Sequence, residues 1–382
     1  MKLGLLTSEL FAPGLTGIGG FGWATRQVAR LFSGEPALGV ECVIVMARPV
    51  PAEATPPATL HGCRVLWRAN SHTAHLRQLR AEKFDLLLAV DNHAIFRLFS
   101  WALPRTPVLF WIRDPWPPAD KAAMATLRLP GDPTPPQGLW ARDLRSFRWD
   151  WRASRAMGRR MLFGTPTRIA REKFAATYGF SPPRVADLPN PVVAGPGSSP
   201  TKTARPTVVI LGRLDPVKRP WIAVEVARRM PAVEFLFLGQ NHFRGPGAWA
   251  PDNLPPNVRL LGHTDGEAKT STLAGAWALL NTSIHEGLPV TFQEALAVET
   301  PIVSCLDPEE VTTRFGIFTG EALGDGMELV PKFTAALTRL IADAPLRARL
   351  GAAGRAWVEA THSRETFLAA FRQLAREAGV TP

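Results

Sequence analysis

Residues 278–294 read Ala278-Leu-Leu-Asn-Thr-Ser-Ile-His285-Glu-Gly-Leu-Pro-Val-Thr-Phe-Gln-Glu294. A compact apolar run, Ala278–Leu280, gives way to a polar turn, and a helical pattern follows over Val290–Val298. Short apolar runs bounded by Gly, Pro or Asp suit strands buried on both faces of a parallel sheet. The same grammar recurs at Leu3–Thr7, Cys42–Met46, Leu86–Val90, Val108–Ile112, Val208–Leu211, Phe235–Leu238 and Ile302–Cys305. Helical stretches such as Phe21–Phe32 and Trp221–Arg229 lie between them, and the chain closes on another, Arg364–Ala378. Alternating strands and helices predict an α/β fold with parallel sheets. The stretch Leu188–Pro206, LPNPVVAGPGSSPTKTARP, is rich in Pro, Gly, Ser and Thr and reads as the boundary between two doubly wound domains. A second irregular zone, Asp114–Gly138, carries many prolines and reads as functional or mobile. Ligands of such sheets sit beyond the carboxyl ends of the strands.

Three loops carry candidate chemistry. Glu286 precedes a helix start and Glu294 lies inside the helix, a separation that keeps both on one side. Carboxylates accept paired hydrogen bonds from vicinal diols, so the pair suits sugar and ribose hydroxyls. The backbone N–H groups of Gly287–Val290 can face an anion. An ordinary charged helix start would explain Glu286 alone. Second, Gly212-Arg-Leu-Asp-Pro-Val-Lys218 follows the run Val208–Leu211. Two cations on a ligand-facing loop, Arg213 and Lys218, suit a diphosphate; surface ion pairing is the plainer reading. Third, Gly17-Ile-Gly-Gly-Phe-Gly22 lies between the first strand and its helix, at a spacing that is not the dinucleotide fingerprint.

The 382 residues contain 46% hydrophobic and 20% charged side chains, an ordinary globular balance. The net charge of +11 is carried wholly by residues 1–195, which hold 25 basic and 14 acidic groups. Much of it lies at Arg142, Arg145, Arg148, Arg152, Arg155, Arg159 and Arg160, interleaved with Trp140, Trp149 and Trp151. Intervals of three and four predict a stripe along one side of a helix. It suits an anionic lipid surface or acidic acceptor, or else a solvated face whose arginine stems cover apolar surface. Three scattered cysteines fit a reducing compartment, and no run approaches the ~18 apolar residues of a membrane span. A cytoplasmic protein is expected, with peripheral contact at the inner face of an anionic membrane as a further expectation.

In order, spacing and strand–loop–helix context, these segments resemble the retaining, nucleotide-sugar-dependent glycosyltransferases of GT-B architecture, family GT4. Glu286 and Glu294 match the family's paired glutamates. Gly212, Arg213 and Lys218 match its Gly-Arg…Lys segment, and Gly19 and Gly20 its N-terminal glycine loop. The resemblance is strong in the second half and thin across residues 50–160. It implies two tandem Rossmann-like domains facing each other across a cleft. Residues 1–192 would form the acceptor domain, with helix 364–382 packing back on it, and residues 193–363 the donor domain. The resemblance further implies that Arg213 and Lys218 neutralise the donor diphosphate and that Glu286 holds the donor sugar. Glu294 would bind ribose, and Gly287, Leu288, Pro289 and Val290 would touch phosphate or sugar. Gly19 and Gly20 would approach the diphosphate from the other wall. No metal or cofactor is implied; the donor is expected to be a UDP-sugar, with a GDP-sugar next, and nucleic acid is not an expected partner.

Two departures stand out. Where family members often carry a His near the reacting sugar, this chain has Arg113, in Trp111-Ile-Arg-Asp-Pro115; His93 is the other candidate. Where the family commonly has Gly after the paired-glutamate helix, this chain has Glu299, so the backbone there is expected not to need a left-handed conformation. Competing readings are a sugar-nucleotide epimerase, a phosphorylase of similar shape, or a non-catalytic basic binding protein. A pyridoxal-phosphate enzyme would need a Schiff-base lysine in the second half, and Lys202, Lys218, Lys269 and Lys332 lie in no such context.

Overall fold

Two sheets, each almost wholly parallel, order the chain. The computed structural model describes residues 1–12, 14–16, 19–50, 53–91, 102–132, 147–193, 201–243 and 253–381. The first sheet contains β1 (Lys2–Thr7), β2 (Glu41–Met46), β3 (Thr59–Leu60), β4 (Cys63–Leu66), β5 (Leu86–Ala89), β6 (Val108–Trp111), β7 (Met161–Thr165) and β8 (Ala186–Asp187). Their spatial order is β3-β4-β2-β1-β5-β6-β7-β8, with β3 antiparallel to β4. The second sheet contains β9 (Thr207–Leu211), β10 (Glu234–Leu238), β11 (Val258–Gly262), β12 (Ala278–Asn281), β13 (Ile302–Ser304) and β14 (Gly316–Phe318), in the order β11-β10-β9-β12-β13-β14. Both orders reverse beside the first strand of the sheet, β1 against β5 and β9 against β12, which is where doubly wound sheets bind ligands. The continuous apolar runs are explained by burial on both faces. Leu86, Leu87 and Leu88 are fully buried, as are Val43, Ile44 and Val45.

Helices α1 (Gly20–Gly34), α2 (His72–Glu82), α3 (Pro118–Ala125), α4 (Phe147–Ala156), α5 (Arg168–Tyr178) and α6 (Pro220–Arg229) flank the strands of the first half and the start of the second. Then come α7 (Gly266–Gly275), α8 (Val290–Leu296), α9 (Val311–Phe315), α10 (Val330–Ala342), α11 (Ala344–Thr361) and α12 (Arg364–Glu377). Two units result. Residues 1–115, 143–191 and 363–382 form the first, and residues 116–142 and 192–362 the second. Within the first unit, α12 sets Phe367 5.5 Å from Trp111 and Phe371 5.2 Å from Phe32.

The chain departs from the sequence reading in three places. Residues 116–142 group with the second unit, although all of residues 1–192 were expected in the first. The cause is packing: Met124 and Leu127 are fully buried in the second unit's core, and Thr126 Oγ1 accepts from Gly324 N at 3.0 Å. The arginine stripe is not one helix face. Helix α4 ends at Ala156, Gly158 turns the backbone with φ +71°, and Arg159 is buried, donating to Thr106 O at 2.7 Å. Arg142, Arg145 and Trp140 lie outside the described residues. Finally, Glu299 does adopt the left-handed conformation, at φ +57°. A Cβ on Gly351 of α11 would meet Glu299 O at 2.4 Å, so the turn packs directly against that helix.

Candidate functional site

At the switch point of the second sheet, two loops leave adjacent strands and are stitched together. Gly212 follows β9 with φ +141°, a conformation glycine alone adopts readily, and its carbonyl sits where a Cβ on Gly239 would fall, 1.7 Å away. Asp215 then caps a 3-10 turn, Pro216–Lys218, by accepting from Lys218 N at 3.2 Å. After β12, Thr282 Oγ1 donates to Lys218 O at 2.6 Å, and Ile284 N donates to Val217 O at 2.9 Å. Arg219 lies beneath this junction, fully buried. Its guanidinium donates to the carbonyls of Thr282 (2.8 Å), Ser283 (3.2 Å) and Ala322 (2.9 Å) and to Cys305 Sγ at 3.3 Å. Burial lowers its pKa, and the neighbouring Cys305 works against that. A buried charge is tolerable when its protons are satisfied in this way.

The junction joins the predicted residues. Lys218 Nζ donates to Glu286 Oε1, and Ser283 Oγ donates to the same oxygen at 2.8 Å. Arg213 Nη2 lies 3.3 Å from Asp215 Oδ2, so Asp215 links Arg213 to the Lys218 turn. Arg213 keeps 43% of its side-chain surface, whereas Lys218 keeps 25% and Glu286 15%. Lys218 and Glu286 thus meet where the loops after β9 and β12 join, and Arg213 pairs with Asp215 on the first of those loops. Gly287, Leu288 and Pro289 carry the chain from Glu286 to Val290, where α8 begins, and Leu288 is buried.

Glu294 stands apart from this cluster. From α8 it accepts from Lys269 Nζ of α7 at 2.6 Å, and both side chains are largely buried (14% and 8% exposed). Lys269 also lies 3.5 Å from Asp265. Each of the two glutamates therefore has its own lysine.

In the first unit, Gly19 and Gly20 open α1. The Glu9 carboxylate occupies that helix start. It accepts from Gly22 N at 3.1 Å, and a Cβ on Gly19 would meet it at 3.0 Å. Across the switch point, Ser8 N donates to Asp91 Oδ2 at 2.8 Å. Arg113 is buried and spends its donors on the protein: Nε and Nη2 reach Asn190 Oδ1 at 3.3 and 2.9 Å, and Nη1 reaches Gly20 O. Its guanidinium lies 4.9 Å from the Trp111 ring, and burial pushes its pKa down to about 10, leaving it charged at neutral pH. It ties β6 to the glycine turn. His93 and Gly17 lie outside the described residues.

Sequence reasoning missed Ser283, Lys269, Asp215 and Arg219. Arg219 was adjacent to a quoted motif and was detectable as a basic residue just before a helix-initiating proline. Lys269 sits 25 residues from Glu294 with no local signal. Among the described residues, no group of three or more His, Cys, Asp and Glu side chains could hold a metal ion.

Residues 196–357 match the family described as glycosyl transferases group 1. No protein of curated function matches the sequence. Among solved structures, HepE of Anabaena in complex with UDP-glucose is similar in fold, with a TM-score of 0.67, 13% identity and coverage of 98% of this chain and 100% of that one. Sucrose-phosphate synthase from Thermosynechococcus elongatus gives 0.67, 14% identity and 98% of both chains. WaaG, a glycosyltransferase involved in lipopolysaccharide biosynthesis, gives 0.60, 14% identity, and 98% of this chain against 99% of that one. The chain thus carries a glycosyl transferases group 1 domain at residues 196–357, on the GT-B fold of glycosyltransferases.

Proposed function

We propose that the protein transfers a sugar, with retention of anomeric configuration, from a nucleoside-diphosphate sugar to an acceptor held by the first unit. The observation that carries this reading is the Lys218–Glu286 pair at the β9/β12 switch point, with Arg213 on the same loop as Lys218. The donor lies there with its diphosphate on Lys218 and Arg213. Its sugar hydroxyls meet Glu286 and the backbone of Gly287, Leu288, Pro289 and Val290, and its ribose meets Glu294. A uridine nucleotide is the first choice, supported by the UDP-glucose and UDP found with HepE.

As the bond from the anomeric carbon to the phosphate oxygen breaks, negative charge grows on the leaving diphosphate. The cations of that loop, Lys218 held by its carboxylate partner and Arg213 more exposed, stabilise that charge, the largest contribution expected of the protein. The acceptor oxygen attacks from the same face and bonds to the anomeric carbon. Its proton passes to the departing phosphate oxygen, so no protein base is required. Arg213 and Lys218 take the place a metal would fill in other transferases. Within the first unit, Arg113 holds the Gly19–Gly20 turn in place by donating to Gly20 O. Incubation with a panel of nucleotide sugars tests the reading: release of nucleoside diphosphate that depends on Lys218 supports it, and release from none of the panel refutes it.

A second element of the reading concerns location. We propose that the protein is cytoplasmic and meets anionic lipid through α4. Trp149 is 58% exposed, with Arg148 and Arg152 5.3 and 5.1 Å from its ring. An exposed indole flanked by guanidinium groups suits the boundary between lipid headgroups and acyl chains. Among the described residues, no helix is long and apolar enough to cross a membrane.

A further inference from the structure

The proline-rich segment after β6 supplies a partner for the residue immediately before Glu286. Helix α3 is fixed in the second unit by Met124 and Leu127, both fully buried, and by the Gly324–Thr126 hydrogen bond. From that anchored helix, Asp120 Oδ2 lies 3.6 Å from His285 Nδ1. Trp116, just ahead of the helix, meets the His285 imidazole edge-on with ring centroids 4.4 Å apart. His285 is itself buried, at 8% exposure. Its ring is therefore held on one side by an indole and on another by a carboxylate, while the next side chain in the sequence receives Lys218 and Ser283.

We infer that Asp120 and His285 form a clasp by which the 116–132 segment sets the loop 283–289, making Asp120 a positioning residue for donor binding. The inference rests on the reading of that loop as the donor site. Ordering the loop in advance lowers the entropic cost of binding. A loop that must present backbone N–H groups and one carboxylate to a ligand binds more weakly if it must be ordered at the moment of binding. Arg219 and Thr282 fix the loop at its start, and α8 fixes it at its end. The clasp fixes it between these, beside Glu286. The Asp120 carboxylate, 3.6 Å from Nδ1, and the Trp116 indole together restrict the orientation of the imidazole ring.

Asp120→Ala and Asp120→Asn test the clasp by two readouts on the full chain. The first is amide hydrogen exchange over residues 283–290 without ligand. The clasp predicts faster exchange there in Asp120→Ala, with protection of β9 and β12 unchanged, and partial restoration in Asp120→Asn, whose side chain keeps the size and polarity that face His285. Equal exchange in Asp120→Ala and the parent overturns it. The second readout is donor kinetics. The donor KM is expected to rise about tenfold in Asp120→Ala while kcat at saturating donor falls less than threefold, with Asp120→Asn in between. Unchanged KM in a variant with faster loop exchange overturns the link to donor binding. Absence of turnover in the parent protein counts against the transferase reading, and the exchange measurement still decides the clasp.

Discussion

Lys218 and Glu286, 68 residues apart in sequence, form an ion pair at the switch point of the second sheet, and Ser283 Oγ donates to the same carboxylate oxygen at 2.8 Å. The pairing leaves a cation and an anion preorganised without bound ligand. On the proposed reading, a donor diphosphate would meet an ammonium already oriented by Glu286.

Lys218→Ala is expected to lower kcat by about a hundredfold to a thousandfold, in line with loss of a charge-stabilising group at a transition state. It also strips Glu286 of its cation. The double variant Lys218→Ala/Glu286→Gln should therefore regain thermal stability but not turnover. Initial rates and melting curves of the two proteins separate these effects.

Arg219→Ala should destabilise the second unit by about 3–5 kcal/mol, since it removes four donor contacts and leaves the buried Thr282 carbonyl without the guanidinium, while Ser283 O keeps only Cys305 Sγ. Denaturant titration reads the loss directly. Lysine at the same position cannot reach four acceptors with a planar fork and should recover little.

Glu294→Ala should weaken donor affinity and leave Lys269, at 8% exposure, with Asp265 as its remaining carboxylate partner. Glu294→Gln keeps the shape and an acceptor oxygen and should retain more affinity. Calorimetric titration of both variants checks the order.

Acid should destabilise the second unit through His362. Burial depresses its pKa to about 4, well below the value of an exposed imidazole. Between pH 6.5 and 4 the unfolded chain takes up the proton and the folded one does not, so stability falls as pH falls through that window. The effect amounts to up to about 3 kcal/mol. His362→Gln should flatten this part of the pH profile in denaturant titrations.

Much of this architecture was legible in the sequence. The apolar runs at 3–7, 86–90 and 208–211 coincide with β1, β5 and β9 to within a residue or two, because strands buried on both faces leave an uninterrupted signal. Strand order explains why the loops after β9 and β12 meet, and the motifs placed Lys218 and Glu286 there. What stayed hidden depends on tertiary contact. Neither Lys269 nor Asp120 carries a local pattern, since each gains meaning only from a side chain on another element. The regular spacing of the arginines was misleading for a related reason. Gly158 interrupts the helix, and Arg159 is drawn into the interior by Thr106 O, neither of which periodicity records. Glu299 takes a left-handed turn that its residue type does not signal.

If α4 meets lipid, co-sedimentation with vesicles containing anionic phospholipid should fall steeply between low and high salt. Arg148→Glu/Arg152→Glu should abolish it, and Trp149→Ala should weaken it without changing the salt dependence. Binding that is equal on neutral vesicles would contradict the electrostatic part of the reading.

Isothermal titration of the full chain with UDP and UDP-glucose, in buffer containing chelator, tests the central claim most directly. The account predicts saturable one-to-one binding that Lys218→Ala and Arg213→Ala each weaken at least tenfold. Heats indistinguishable from dilution for these and for the guanosine counterparts, or variants that bind as tightly as the parent, would contradict it.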